Sequence, residues 1–192
     1  MRRAAAAAAL ALALVPSAVA QSSRATFTPT DPLAPRQYYL AQDHAFDAFG
    51  PELPVLNPVR VAVIDSGLDG GHPEFPRARI WQARSWVGGS ALTDEQGHGT
   101  FVAGIAAGDG AAAGQPFSGI ARGAGVMAVQ VFSRFNRFVD CGGLPPCLGA
   151  WDSDVLAALE RVYALRGQLP IVAVNMSLGG GSFAAPCDGE PY

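Results

Sequence analysis

The sequence predicts a parallel α/β sheet covered on both faces, and three observations carry that expectation. Three short β-branched runs, VRVAVID over 59–65, VMAVQVF over 126–132 and IVAVNM over 171–176, are bounded by Gly, Pro or Asp. Their apolar content is close to continuous rather than alternating, which is the pattern of strands buried on both sides. Helical stretches stand between them, and strands that alternate with helices build a parallel sheet.

The first twenty residues stand outside that fold. Arg2 and Arg3 form a positive start, residues 4–15 are an unbroken apolar run, and Ala18-Val19-Ala20 is a small-residue cleavage site, so 1–20 reads as a signal peptide. The run is shorter than the roughly 20 apolar residues a membrane span needs. No second long apolar stretch follows. The expected product is soluble and exported, secreted or periplasmic, with no membrane partner after cleavage. Residues 21–58 are proline-rich, with aromatics at Tyr38 and Tyr39, and read as an N-terminal arm packed onto a domain that fills 59–192.

Within that domain the strand at 59–65 is followed by a helix over His98–Ala107, rich in Ala, Val and Ile, buried from Phe101 onward and stopped at Gly108. After the strand at 126–132, residues 154–166 place Val155, Leu159, Val162 and Leu165 at helical spacing, flanked by Leu156 and Tyr163. Ser153 or Asp152 can cap the start of this helix and Gly167 its end. The strand at 171–176 closes the series. No internal repeat is visible, and Gly108–Gly114 is a short low-complexity loop.

Composition removes several classes of function. All 13 basic residues are arginine, so a phosphate-cradling GxxxxGK loop, a Schiff-base lysine and a Ser–Lys dyad are excluded. A formal charge of −3 offers no basic footprint, which argues against a nucleic-acid partner. Cys141, Cys147 and Cys187 are odd in number and lack metal-ligand spacing. In an oxidising compartment Cys141 and Cys147 are the natural pair, closing a ring worth roughly 2 kcal/mol less any strain. Pairing of Cys187 with either of them stays open.

The chemistry centres on two residues. Asp65 ends an otherwise apolar strand, where a carboxylate costs desolvation unless something pairs with it. A capping or turn aspartate is the simpler reading of Asp65 alone. His98 follows 33 residues later between Gly97 and Gly99, at a helix start whose dipole disfavours an imidazolium. A carboxylate on its Nδ1–H would offset that, fix the tautomer and stabilise the cation as it forms.

Three ordered motifs then resemble the subtilisin-like serine peptidases: Asp65-Ser66-Gly67-Leu68-Asp69 with His72-Pro73-Glu74, Asp94-Glu95-Gln96-Gly97-His98-Gly99-Thr100, and Asn175-Met176-Ser177-Leu178-Gly179-Gly180. The segment from Gly119 to Val129 looks like the family's strand-leading stretch. The likeness runs from about Asp31 to the last residue. It implies a subtilisin-like doubly wound parallel sheet, N-terminal portion only, with acid before histidine and serine last in chain order. By this resemblance Asp65 is the orienting acid and His98 the general base. Ser177, Leu178 and Gly179 would form an edge that pairs with the backbone of a protein or peptide substrate. The loop around Cys141–Trp151 lies where similar enzymes bind substrate residues further upstream. No cofactor is required for that chemistry. Structural calcium at Asp31 and Glu74 is an option, against the simpler reading of solvated carboxylates.

The departures are equally specific. The family's nucleophile lies in a Gly-Thr-Ser motif, and neither GTS nor GxSxG occurs in these 192 residues. The oxyanion asparagine is also absent, Asn175 matching another position. Phe101 replaces the second histidine of many relatives, and 21–58 is too short for their folded pro-region. The favoured expectation is the N-terminal part of an exported serine endopeptidase, this segment alone being inactive. An inactive or peptide-binding relative is the alternative, disfavoured because a sheet cut midway leaves an open edge. A metal-dependent hydrolase with Asp65, His98 and Asp69 as ligands needs more converging donors than these spacings supply.

Overall fold

The computed structural model describes residues 29–48, 56–81, 84–110 and 113–180. The signal-peptide reading of 1–20 and Cys187 lie outside the described residues, as does part of the arm. Within the arm, helix α1 spans Tyr38–Gln42 and only Leu40 of it is buried.

Four parallel strands form the main sheet in the order β2-β3-β1-β6. They are β1 (Arg60–Asp65), β2 (Ile80–Trp81), β3 (Gly125–Gln130) and β6 (Ile171–Asn175). Strands β1 and β3 run in register from Arg60 opposite Gly125 to Asp65 opposite Gln130. Because side chains alternate across a strand, these two central strands feed two separate cores. Val61, Val63, Val126 and Ala128 pack with Phe75, Leu68 and the buried face of helix α2 (His98–Ala107). Ala62, Ile64, Met127 and Val129 pack on the other face with Ala158 and Val162 of helix α4 (Asp152–Leu165). Both faces of β1 and β3 are therefore covered, as their apolar runs require, and each fully buried Ile or Val there contributes about 1.5–3 kcal/mol of transfer free energy. The expectation fails for β6, an edge strand whose Val172, Ala173 and Val174 are exposed.

Several expectations are corrected in detail. The second run does not continue to 132. Its ladder partner β1 ends at Asp65, so β3 ends opposite it at Gln130. Val131 then donates its N–H to the Asp65 carbonyl at 2.9 Å, and the chain leaves the sheet as β4 (Phe132–Phe135). Antiparallel pairing with β5 (Cys147–Ala150) makes a ribbon that encloses a short helix α3 (Phe138–Cys141). A Cys141–Cys147 disulfide closes its far end, the natural pair of the sequence.

Helix α2 has the predicted bounds but is not buried throughout from Phe101. Phe101 is 66% exposed and Ile105 is also exposed, whereas Gly99, Val102, Ala103 and Ala107 face the sheet. Small residues on that face let the helix lie close to β1. Helix α4 starts two residues earlier than predicted. Its cap position is Trp151, with no side-chain cap, and Asp152 and Asp154 instead sit in the first turn, where negative charge complements the helix dipole. Its end is capped by the backbone of Arg166 rather than by Gly167.

Candidate active site

The carboxyl ends of β1 and β3 lie side by side, and parallel sheets collect their functional groups at that rim. Asp65 is 0% exposed. Its Oδ1 accepts the Ser66 backbone N–H at 2.7 Å and lies 2.7 Å from Nδ1 of His98. Facing a carboxylate, Nδ1 carries the proton, which leaves Nε2 as the basic nitrogen. The imidazole is 45% exposed, so a buried anion holds a ring whose other edge is open to a reactant. The second Asp65 oxygen is buried without a hydrogen-bond partner among the described residues. A purely structural carboxylate would be expected to have both oxygens satisfied.

A network absent from the sequence reading fixes His98 in place. A helix start leaves its first N–H groups without intrahelical partners. Here Asp94 Oδ1 accepts from the N–H of Gly97 at 2.9 Å, and Asp94 Oδ2 accepts from the N–H and Oγ1 of Thr100 at 2.8 and 2.6 Å. Ser66 Oγ donates to Asp94 Oδ1 and accepts the Gly99 N–H, both at 2.9 Å. The residue after Asp65 thus ties directly to the residue after His98. Gln130 closes the rim by donating to the Ser66 carbonyl at 2.9 Å. The usable signal was an acidic residue just ahead of a helix start, a capping pattern displaced by a turn.

Burial pushes the Asp94 carboxyl up, but the bonds from Thr100, Ser66 and Gly97 outweigh it and hold its pKa below the usual aspartate value. A carboxylate depressed by folding stabilises the protein fully above its unfolded pKa, and that contribution is lost as pH falls through the folded value. Asp94→Asn would turn an amide N–H₂ toward one of its donor groups. It is expected to cost about 1–3 kcal/mol at neutral pH. The gap from wild type should narrow below about pH 4, where wild type loses the same contribution. Thermal unfolding of both proteins from neutral pH to acid checks this; a constant gap would contradict it.

Strand β6 pairs with β1 only as far as Val63 opposite Asn175. Ser177, Leu178 and Gly179 follow the carboxyl end of β6, on the side of β1 away from β3. Ser177 Oγ accepts from Asn175 Nδ2 at 3.0 Å, and Leu178 packs against the α4-side core. The structure thus joins Asp65 to His98 directly and sets 177–179 on the neighbouring strand exit.

The metal alternatives fit poorly. Asp69 closes a turn, accepting the Gly71 N–H at 2.9 Å, while its own N–H donates to Thr100 Oγ1. The two oxygens of Asp31 accept the N–H groups of Leu33 and Ser118. Among the described residues, no group of three or more His, Cys, Asp or Glu side chains is gathered to hold a metal ion. No third side chain of these types is gathered with Asp31 and Glu74 among the described residues.

A parallel sheet with helices on both faces and a buried carboxylate–imidazole pair at its carboxyl rim define an α/β protein with a candidate site at the strand ends. The chain belongs to the subtilase family, whose Peptidase_S8 family model matches residues 57–189. Similar proteins include the membrane-bound transcription factor site-1 protease of Homo sapiens, 48% identical over 46 residues. The subtilisin-like protease SBT6.1 of Arabidopsis thaliana is 41% identical over 46 residues. Each match covers 24% of this chain and 4% of the relative, so the chain spans a small part of their length. Among solved structures, MycP1 from Mycobacterium smegmatis is similar at 25% identity and a TM-score of 0.38, over 56% of this chain and 26% of that one.

Proposed function

We propose that this chain carries the acid and the base of an exported serine endopeptidase acting on protein or peptide substrates. The observation that supports it is the 2.7 Å contact between fully buried Asp65 and half-exposed His98. In this reading His98 Nε2 takes the proton of an attacking serine hydroxyl and returns it to the leaving amine. Asp65 holds the ring in the productive tautomer and stabilises the imidazolium. Ser177, Leu178 and Gly179 pair with the extended substrate backbone. The chemistry calls on no cofactor, nucleic acid or membrane surface. No helix among the described residues is long and apolar enough to cross a membrane, and residues 1–20 would direct the protein to the periplasm or the medium.

Since no Gly-Thr-Ser occurs in the 192 residues, we place the nucleophile and its oxyanion donors outside them. The 192-residue chain is therefore expected to hydrolyse peptides no faster than buffer and to resist a fluorophosphonate probe. Covalent labelling of this chain, detected by mass spectrometry, would show that a hydroxyl within it is the nucleophile and would overturn this division of the triad.

A further inference from the structure

We propose that Arg79 is an internal cation that fastens the C-terminal end of α2, where a bound divalent cation would otherwise be needed, so that this region folds without metal. The end of a helix presents unpaired carbonyls and the negative pole of its dipole. Two carboxylates aggravate that charge here. The Glu74 carboxylate lies against the last turn, where a Cβ on Gly108 would collide with its Oε2. Asp109 follows the helix by two residues. Acidic groups at this pole repel it unless a cation intervenes.

The guanidinium of Arg79 supplies that cation, with its side chain only 15% exposed. Nε and Nη2 donate to the Ala124 carbonyl at 3.2 and 2.6 Å, Nη2 also to the carbonyl of Ala107, the last residue of α2, and Nη1 to the Glu74 carbonyl at 3.1 Å. Nη1 lies 3.9 Å from Asp109 Oδ2, and Arg122 Nε approaches the other Asp109 oxygen at 3.6 Å. Three backbone carbonyls with carboxylates behind them are the oxygen-rich surroundings a hard cation takes. A planar fork of donors already satisfies them, in a way a single ammonium could not. The carbonyls of Ile105 and Ala106 are likewise tied, to the N–H groups of Ile120 and Ala121. Arginine, helix end and the 119–124 segment thus form one locked corner at the opposite end of the helix from His98.

The test is thermal unfolding of the full-length protein in EGTA and in millimolar calcium, beside Arg79→Gln and Glu74→Gln. Calcium is expected to move the wild-type Tm by less than about 1 °C, and Arg79→Gln to lower it by about 5–10 °C. Hydrogen exchange of Arg79→Gln should show lost protection at the amides of Gly108, Ile120 and Ala121. A calcium-dependent rise of more than about 3 °C in wild type, abolished in Glu74→Gln, would overturn the proposal, as would an unchanged Tm in Arg79→Gln. The calcium comparison uses the unmodified protein, so it decides even if Arg79→Gln fails to accumulate.

Discussion

Replacing His98 by alanine in the full-length protein is expected to abolish peptide hydrolysis while leaving the fold intact. The side chain is half exposed, and among the described residues its hydrogen bond runs to Asp65, so the change should cost about 1–3 kcal/mol, chiefly from leaving the buried Asp65 carboxylate with the Ser66 N–H alone. The rate loss should be on the order of 10⁶-fold in kcat, the scale of removing the histidine from a serine-peptidase triad. Asp65→Asn should cost on the order of 10⁴-fold. The amide carries no charge to stabilise the imidazolium, and its N–H₂ can turn to donate to Nδ1 and fix the wrong tautomer. KM should move little in either variant, because neither side chain is assigned to substrate binding. Steady-state kinetics on a peptide substrate with circular dichroism as the folding control measure both. An active His98→Ala protein would remove the imidazole from the mechanism, and with it the reading of Asp65 as its orienting partner.

The two residues that carry this expectation were legible in the sequence because each sits at an element boundary. Asp65 stops a run of apolar β-branched residues, and His98 opens a helix between two glycines. The strands and helices that hold them were legible for the same reason, through near-continuous apolar runs for β1 and β3 and spacing for α4. What escaped was structure made by pairing rather than by pattern. Strand β2 is two residues long and exists through its register with Val126 and Met127. The end of β3 is set by the length of its neighbour, a fact not written in residues 126–132 at all. The β4–β5 ribbon depends on a long-range pairing closed by a disulfide. Ser66 and Asp94 act through side-chain bonds to backbone N–H groups, which leave no period in the sequence. Arg79 was invisible as a helix partner, since nothing local ties it to Ala107, 28 residues away.

Gly99→Ala should damage the protein severely, and Gly104→Ala on the same helix should not, although intrinsic helix propensity favours alanine at both by up to about 1 kcal/mol. A Cβ on Gly99 would run into the Gly67 carbonyl oxygen and lie 3.1 Å from both the Gly67 nitrogen and the Asp65 Cβ. Backbone atoms in a turn cannot rotate aside as a side-chain tip can, so α2 must lift away from β1. Overpacking of this kind costs about 1–3 kcal/mol or more, enough to exceed the propensity gain. Lifting the helix also breaks the Gly99 N–H bond to Ser66 and lengthens the Asp65–His98 contact. A displacement of about 1 Å at such a pair can cost on the order of 100-fold in rate. By contrast, among the described residues a Cβ on Gly104 meets only Glu74 Oε2 at 3.8 Å, an ordinary contact with a movable atom. Gly104→Ala should therefore match or slightly exceed wild type in Tm and keep its activity. Thermal unfolding of both variants, with kcat measured on the full-length protein, separates close approach from helix propensity. Equal stability and equal activity in the two would mean that α2 does not need this contact with β1 to present His98 to Asp65.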